Sequence, residues 1–166
     1  FERIGDVELK QLEYQKNTDE RFEQVFDYIA GHEEVKQKIF FDGQIYDAFS
    51  LLVKLVSGAE ESIILIDNYV NVGTLNILAK KKANVSVCVY TMRQTKLTAG
   101  DVKNFNKQYP SLEVKYTDAF HDRFLIVDDG CSYHIGASLK DAGKKCFAIN
   151  RLEDVQIVKD ILRQLI

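Results

Sequence analysis

The sequence is poor in the residues that interrupt or cross-link a folded chain. Of its 166 residues, one is proline (Pro110), three are cysteine and none is tryptophan. No apolar run approaches the length of a membrane span, so we expect no membrane partner. The cysteines are odd in number and lack CxxC spacing. That pattern argues against a disulfide framework and favours reduced thiols in a cytoplasmic protein.

A surplus of basic charge is also missing. The formal net charge is −3 with 28% charged residues, so the global sign typical of nucleic-acid-binding proteins is absent, although a local basic groove stays compatible. The length fits one domain with an appended element. The first residues, Phe1 to Ile4, are neither a signal peptide nor a natural start, so we expect the chain to be part of a longer protein.

The first 37 residues differ in pattern from the rest of the chain. Apolar residues recur there at spacings of three and four, which predicts an amphipathic helix with a narrow stripe. They are Leu9, Leu12, Phe22, Val25, Phe26 and Ile29. We predict a helical linker or dimerisation arm over residues 1–37, with packing on the chain's own domain as the alternative.

Residues 38–166 alternate between strand-like and helix-like segments. The apolar run from Ser62 to Asp67 is typical of a central strand buried on both faces. Helical spacing covers Ala99 to Gln108, before Pro110, and a last helix from Glu153 to Ile166. This alternation predicts an α/β fold, a sandwich of helices around a mostly parallel mixed sheet.

One segment combines residue types that suit a phosphate. His121 opens an apolar strand, Arg123 follows two residues later on the same side, and Asp128 ends the strand. A guanidinium binds and neutralises phosphate oxygens, while an imidazole attacks phosphorus or moves a proton. The small residues Gly136-Ala137-Ser138 follow the next short strand and let backbone approach a ligand.

This pattern resembles the phospholipase D superfamily, whose motif is H-x-K-x4-D followed by a Gly-Ser-x-Asn-like turn. Here the corresponding residues are His121-x-Arg123-x4-Asp128 and Gly136-Ala137-Ser138. The resemblance covers about residues 38–166. Over Phe120 to Lys145 the sequence is similar to bacterial proteins in which such a domain follows a DNA-binding domain of phage antirepressor type.

The resemblance implies an activity, an assembly and a set of site residues. In that superfamily two motifs meet across a two-fold axis, and one histidine is phosphorylated while the other protonates the leaving group. One motif per chain therefore implies a homodimer that is a phosphodiesterase without metal or cofactor, acting on nucleic acid or another phosphodiester. The implied site consists of catalytic His121, Arg123 and Asp128 and substrate-binding Asn68, Ser138 and Lys140.

The sequence departs from the family pattern at three points. Arg123 replaces the family's lysine, and a planar fork is not equivalent to a point charge. Leu139 falls near the position of the turn asparagine, and the carboxylate that holds the histidine is either Asp141 or Glu153. These departures leave an alternative open: an inactive domain that serves dimerisation or phosphate binding for an upstream DNA-binding domain.

Each candidate residue also has an ordinary structural explanation. Arg123 can pair with Asp118 or Asp122, Asp128 can orient loops, and His134 is expected to be structural. The lysines at 140, 144 and 145 can form a solvated loop instead of a polyanion contact. Asp67, Asn68 and Tyr69 follow a central strand, where open α/β sheets bind ligands, so we expect them at the pocket rim.

Overall fold

The computed structural model describes residues 36–166, and this part of the chain contains seven strands and four α-helices. The strands are β1 (Gln37–Phe40), β2 (Ser62–Ile66), β3 (Ser86–Thr91), β4 (Leu112–Tyr116), β5 (Arg123–Val127), β6 (Cys131–Ile135) and β7 (Phe147–Leu152). The helices are α1 (Ile45–Ser57), α2 (Val72–Leu78), α3 (Ala99–Gln108) and α4 (Val155–Gln164). A short 3-10 turn covers Leu139–Asp141.

All seven strands belong to one mixed sheet with the order β1-β7-β6-β5-β2-β3-β4. Only the β2–β3 and β3–β4 pairs are parallel, and the other four pairs are antiparallel. The predicted α/β class is confirmed, but the predicted mostly parallel sheet is wrong. Parallel neighbours need a crossover of about a dozen residues or more, and the links from β5 to β6 and from β6 to β7 are shorter than that.

Helices cover both faces of the sheet, which gives the predicted sandwich. On one face, helices α1, α2 and α3 bury apolar side chains such as Leu52, Leu78 and Phe105 against the sheet. On the other face, Ile161 of α4 packs with Ile66 and Ile126 in a smaller cluster. Strand β2 therefore contributes to both cores, as its continuous apolar run predicts.

Local sequence signals set the helix ends. The Thr98 side chain accepts a hydrogen bond from the Asp101 N–H, while the Asp101 carboxylate accepts one from the Thr98 N–H. This capping box starts α3 where the spacing predicts it, and the helix ends just before Pro110. Helix α2 begins at a second capping box, in which the Asn71 side chain accepts hydrogen bonds from the Gly73 and Thr74 N–H groups.

The predicted N-terminal helical arm lies almost entirely outside the described residues. Its last residue, Gln37, belongs to strand β1 and pairs with Asn150 of β7. Residues 36–166 form one compact unit. No helix within them is long and apolar enough to cross a bilayer.

Candidate functional site

The candidate site lies along one edge of the sheet. Strand β5 runs antiparallel to both β2 and β6, so its beginning lies beside the ends of those two strands. The register pairs Phe124 with Ile66 of β2 and Arg123 with Ile135 of β6. This edge therefore brings His121 and Arg123 close to residues 67–69 and to the turn that begins at Gly136.

Asp67 is the buried centre of this edge, with 0% of its surface exposed. One carboxylate oxygen accepts hydrogen bonds from the Ser138 hydroxyl at 2.8 Å and the Leu139 N–H at 3.1 Å. The other accepts one from the Tyr69 N–H at 2.9 Å. The predicted place of Asp67 on the pocket rim is wrong: the carboxylate lies beneath the rim and ties the end of β2 to the turn after β6.

Arg123 connects this buried carboxylate to the surface. Its Nε lies 4.0 Å from Asp67 Oδ1, and its guanidinium lies over the Tyr69 ring at 5.4 Å from the centroid. The Nε atom is buried without a hydrogen bond, whereas the terminal nitrogens are not buried and make none within residues 36–166. The alternative ion pairs with Asp118 or Asp122 are absent from this part of the chain. Two donors of the fork are therefore free for a phosphate oxygen.

His121 is exposed on the segment that leads into β5. Just before it, the Phe120 carbonyl accepts a 2.8 Å hydrogen bond from Asn68 Nδ2, which fixes the segment to the end of β2. Just after it, Asp122 lies 3.2 Å from Nε2 of His134. The imidazole of His121 itself has no hydrogen-bond partner in the described part of the chain, so it is accessible to a ligand.

Neither carboxylate proposed to hold His121 contacts it here. Asp141 binds the side chains of Lys140 and Lys144, whose hydrogen bonds are the main reason that the pKa of the Asp141 carboxyl lies below its usual value. Glu153 lies 3.8 Å from Lys36 in an exposed ion pair.

Three residues predicted to bind substrate are engaged with protein groups instead. Ser138 is 3% exposed, and its hydroxyl is directed at Asp67. Asn68 uses its amide to hold Phe120, while its Oδ1 is buried without a donor among residues 36–166. Lys140 is partly buried and paired with Asp141. These contacts support positioning roles for Ser138 and Asn68.

The turn after β6 requires a glycine at Gly136 for a different reason from the predicted approach of a ligand. A Cβ on Gly136 would lie 3.3 Å from the Ala148 carbonyl oxygen, to which the Gly136 N–H donates at 2.9 Å. The close approach at Gly136 is thus made by the backbone of β7.

Asp128 lies at the opposite end of β5, and the structure does not bring it together with His121. Its carboxylate accepts hydrogen bonds from the backbone N–H groups of Glu60, Glu61 and Ser62 at 2.7–3.1 Å. Burial alone would raise the pKa of this carboxyl, but these bonds and the charge of Lys82 hold it below its usual value. Asp128 therefore anchors the loop before β2.

Within residues 36–166, no group of three or more histidine, cysteine and acidic side chains is arranged to hold a metal ion. The chemistry available at this edge is that of the accessible imidazole of His121 and the partly free guanidinium of Arg123. That pair is suited to an anion such as a phosphate group.

Comparisons with known proteins identify the fold. No protein-family model and no curated protein sequence matches the chain. Among solved structures it is similar to NucT from Helicobacter pylori, with a TM-score of 0.60, 13% identity and coverage of 80% of this chain and 96% of that one. It is similar to Nuc from Salmonella typhimurium, a phospholipase D family member, with a TM-score of 0.55, 15% identity and coverage of 77% and 90%.

A third similar structure is polyphosphate kinase from Porphyromonas gingivalis, with a TM-score of 0.53, 13% identity and coverage of 86% of this chain and 25% of that one. At such low identity these matches report architecture only. Together with the sheet order and the two helical layers, they show that this chain has a phospholipase D-like fold.

Proposed function

We propose that this chain is a metal-independent phosphodiesterase that acts on nucleic acid through a phosphohistidine at His121. The observations that carry the proposal are the exposed, unbonded imidazole of His121 and, two residues later at the same sheet edge, the free terminal nitrogens of Arg123. The likeness of the fold to a phospholipase D family member supports it.

The proposed reaction has two steps, and both steps use His121 from each subunit of a homodimer. In the first, a ring nitrogen of His121 attacks phosphorus, and the bond from phosphorus to the leaving oxygen breaks. His121 of the partner subunit donates a proton to that oxygen. In the second, water attacks the phosphohistidine, the partner subunit's His121 takes the proton of the water, and the phosphate product leaves with His121 restored.

Arg123 has the role of charge stabilisation in this scheme. Its Nε side faces the buried Asp67, so the fork is oriented with its two terminal nitrogens outward. A guanidinium binds two phosphate oxygens in parallel and stabilises the charge that develops in the transition state. Arginine in place of the family's lysine thus keeps this function with a different geometry.

Asp67 has the role of a positioning residue. It is bonded to Ser138, Leu139 and Tyr69 and faces Arg123, so one buried charge orders three segments of the site. Buried charges of this kind are stable only when they are paired and hydrogen-bonded.

A second candidate function is an inactive domain that dimerises or binds phosphate groups for an upstream DNA-binding domain. The observation that favours it is that no carboxylate among residues 36–166 contacts His121, and that Leu139 occupies the place of the turn asparagine. A phosphohistidine enzyme needs its imidazole oriented, so the hydrolysis assay decides between the two candidates.

The test compares wild type with His121→Ala in hydrolysis of bis(p-nitrophenyl) phosphate and labelled DNA, with EDTA present. We expect EDTA-resistant hydrolysis by wild type and a loss of at least about 100-fold in the variant, because the nucleophile is removed. Circular dichroism checks the fold of both, and light scattering checks that both are dimers. A folded wild-type dimer without activity would favour the binding domain.

A further inference from the structure

A second arginine–tyrosine pair lies on the same sheet edge as Arg123 and Tyr69. The guanidinium of Arg93 lies 5.7 Å from the ring centroid of Tyr116, nearly the distance of the first pair, 5.4 Å. Both rings are accessible, with Tyr69 52% and Tyr116 50% exposed. Packing of the hydrophobic core does not need these two exposed aromatic rings, so both rings are available to a ligand.

The second pair borders a cavity of about 330 Å³. Its lining consists of Met92, Arg93, Gln94, Tyr116, Thr117 and Asp118. This volume lies at the lower end of the range for small-molecule sites. The Gln94 amide and the Asp118 carboxylate can exchange hydrogen bonds with the edge of a base, while the ring offers a stacking surface.

The cavity and the candidate site lie on the same side of the sheet. Side chains alternate along a strand, so Tyr116 shares a face with Leu112, and Arg123 shares a face with Leu125. Leu112 and Leu125 belong to the same core cluster, which places both pairs on that face.

The order of strands sets the span between the two pairs. From His121 at β5, the edge passes Tyr69 after β2 and Arg93 after β3 before it reaches Tyr116 at β4. Three strand spacings of about 4.8 Å give roughly 14 Å. The link from Thr117 to His121 also runs directly from the cavity wall to the proposed nucleophile. A polymer of nucleotides spans such a distance, whereas a small phosphodiester does not.

We propose that Tyr69, Arg93 and Tyr116 form a binding track for single-stranded nucleic acid alongside the reacting phosphate. This inference rests on the proposed function for the place of the scissile phosphate. Bases stack on the two rings, the base at Tyr116 enters the cavity, and Arg93 binds a backbone phosphate. In a duplex the bases are stacked on one another, so they are not free to stack on tyrosine rings.

The charge distribution of the track fits a single strand better than a duplex. Asp118 lines the cavity with Arg93, so the cavity is not a uniformly basic groove. Duplex binding depends mainly on many phosphate contacts, whereas single-strand binding gains much of its energy from stacking. Stacking is also compatible with the net charge of −3.

The test measures binding by fluorescence anisotropy in the full chain carrying His121→Ala, so that the probe is not cleaved. The probes are a fluorescent oligothymidylate 12-mer and a 12-base-pair duplex at one salt concentration. We expect tighter binding of the single strand, and Tyr116→Ala to weaken it about 5- to 100-fold, as for loss of one stacked base. Tyr116→Phe retains binding, and Arg93→Ala weakens it and lowers its salt dependence.

Tyr46→Ala is the matched control, because Tyr46 is an exposed tyrosine at the start of helix α1, which follows β1 at the opposite side of the sheet from β4. With His121 restored, Tyr46→Ala should hydrolyse bis(p-nitrophenyl) phosphate at the wild-type rate, since Tyr46 belongs to neither arginine–tyrosine pair. Equal binding of single strand by Tyr116→Ala, Tyr46→Ala and the parent, with all three folded, would overturn the track.

The two proposals fail separately. If wild type hydrolyses no phosphodiester but its binding of oligothymidylate depends on Tyr116, the enzyme proposal fails and the track stands. If hydrolysis depends on His121 while Tyr116 and Arg93 do not affect binding, the enzyme proposal stands and the track fails. Preference for the duplex, independent of Tyr116, also overturns the track.

Discussion

At one end of strand β5, the Asp128 carboxylate accepts hydrogen bonds from three consecutive backbone N–H groups of the loop before β2. At the other end, five residues earlier, Arg123 keeps terminal nitrogens free and His121 has no partner in the described part of the chain. One end of the strand therefore has a charged group that is hydrogen-bonded within the fold, and the other end has one that is free to bind a ligand.

The difference between the two ends helps to distinguish residues of a short motif that stabilise the fold from residues that can bind a ligand. A polar group whose bonding capacity is used by the protein stabilises the fold and has little left for a substrate. Buried polar atoms without partners, such as Arg123 Nε and Asn68 Oδ1, occur beside His121 and not at the Asp128 carboxylate. A buried polar atom without a partner, Ser132 Oγ, also occurs on β6 near the Asp128 end, so the exposed and unbonded groups of His121 and Arg123 are what distinguish the two ends.

The largest effect is expected from Arg123→Ala. Loss of an oriented donor to a developing charge typically costs 10²- to 10³-fold in rate. We therefore expect hydrolysis of bis(p-nitrophenyl) phosphate to fall by about that factor in a variant whose fold is checked by circular dichroism.

Arg163→Ala serves as the matched control for Arg123→Ala. Arg163 is an exposed arginine on α4 with one long contact to Asp160. An equal loss of activity in the two variants would contradict a specific role for Arg123 and remove the contrast between the two ends of β5.

Asp128→Asn tests the other end of the strand. Asparagine still accepts hydrogen bonds and tolerates the φ of 55° at this position, but it lacks the charge. Since bonds to a charged group are stronger than neutral ones, we expect the free energy of unfolding to fall by about 1–2 kcal/mol. Hydrolysis by the folded variant should not change.

The pH dependence of the free energy of unfolding gives a more specific test of the Asp128 charge. The pKa of the Asp128 carboxyl lies below its ordinary value of 3.8, so its contribution to stability is present above that value. It is lost as the pH falls through the lower pKa of the folded state. The gap between wild type and Asp128→Asn should be constant from neutral pH down to about pH 5 and close below about pH 4.

Asp129→Asn is the control for Asp128→Asn, because Asp129 has the same φ and is exposed. A gap that persists at low pH, or an equal loss of stability in Asp129→Asn, would show that the charge of Asp128 is not the cause.

Much of the local structure was accessible from the sequence because it depends on neighbouring residues. Apolar spacing and the Pro110 breaker gave α3 its bounds, and the continuous apolar run identified β2. His121 was expected to open the strand, but β5 begins at Arg123 and His121 lies in the bend before it.

Strand direction and side-chain partners depend on distant residues. Asp128 and Asp129 both have a φ of 55°, which makes the link from β5 to β6 a tight hairpin turn. That short link indicates an antiparallel pair of strands, whereas the alternation of helices and strands earlier in the chain favoured a parallel sheet. Asp67 was assigned to the rim because it follows a central strand, and the partners that bury it lie about 70 residues away.

The smallest effect is expected from Asn68→Ala, which removes the hydrogen bond to the Phe120 carbonyl beside His121. A lost bond of this kind costs about 0.5–1.5 kcal/mol. We expect kcat to fall about 2- to 10-fold, because the nucleophile is less well positioned, while KM stays near its wild-type value, because Arg123 is unchanged. Asn68→Asp should be at least as impaired, since a carboxylate cannot donate to the carbonyl. Asn76→Ala, at an exposed position on α2, is the control. If Asn68→Ala raised KM and left kcat intact, Asn68 would bind substrate directly, and the His121 end of β5 would have one more free group than this structure assigns to it.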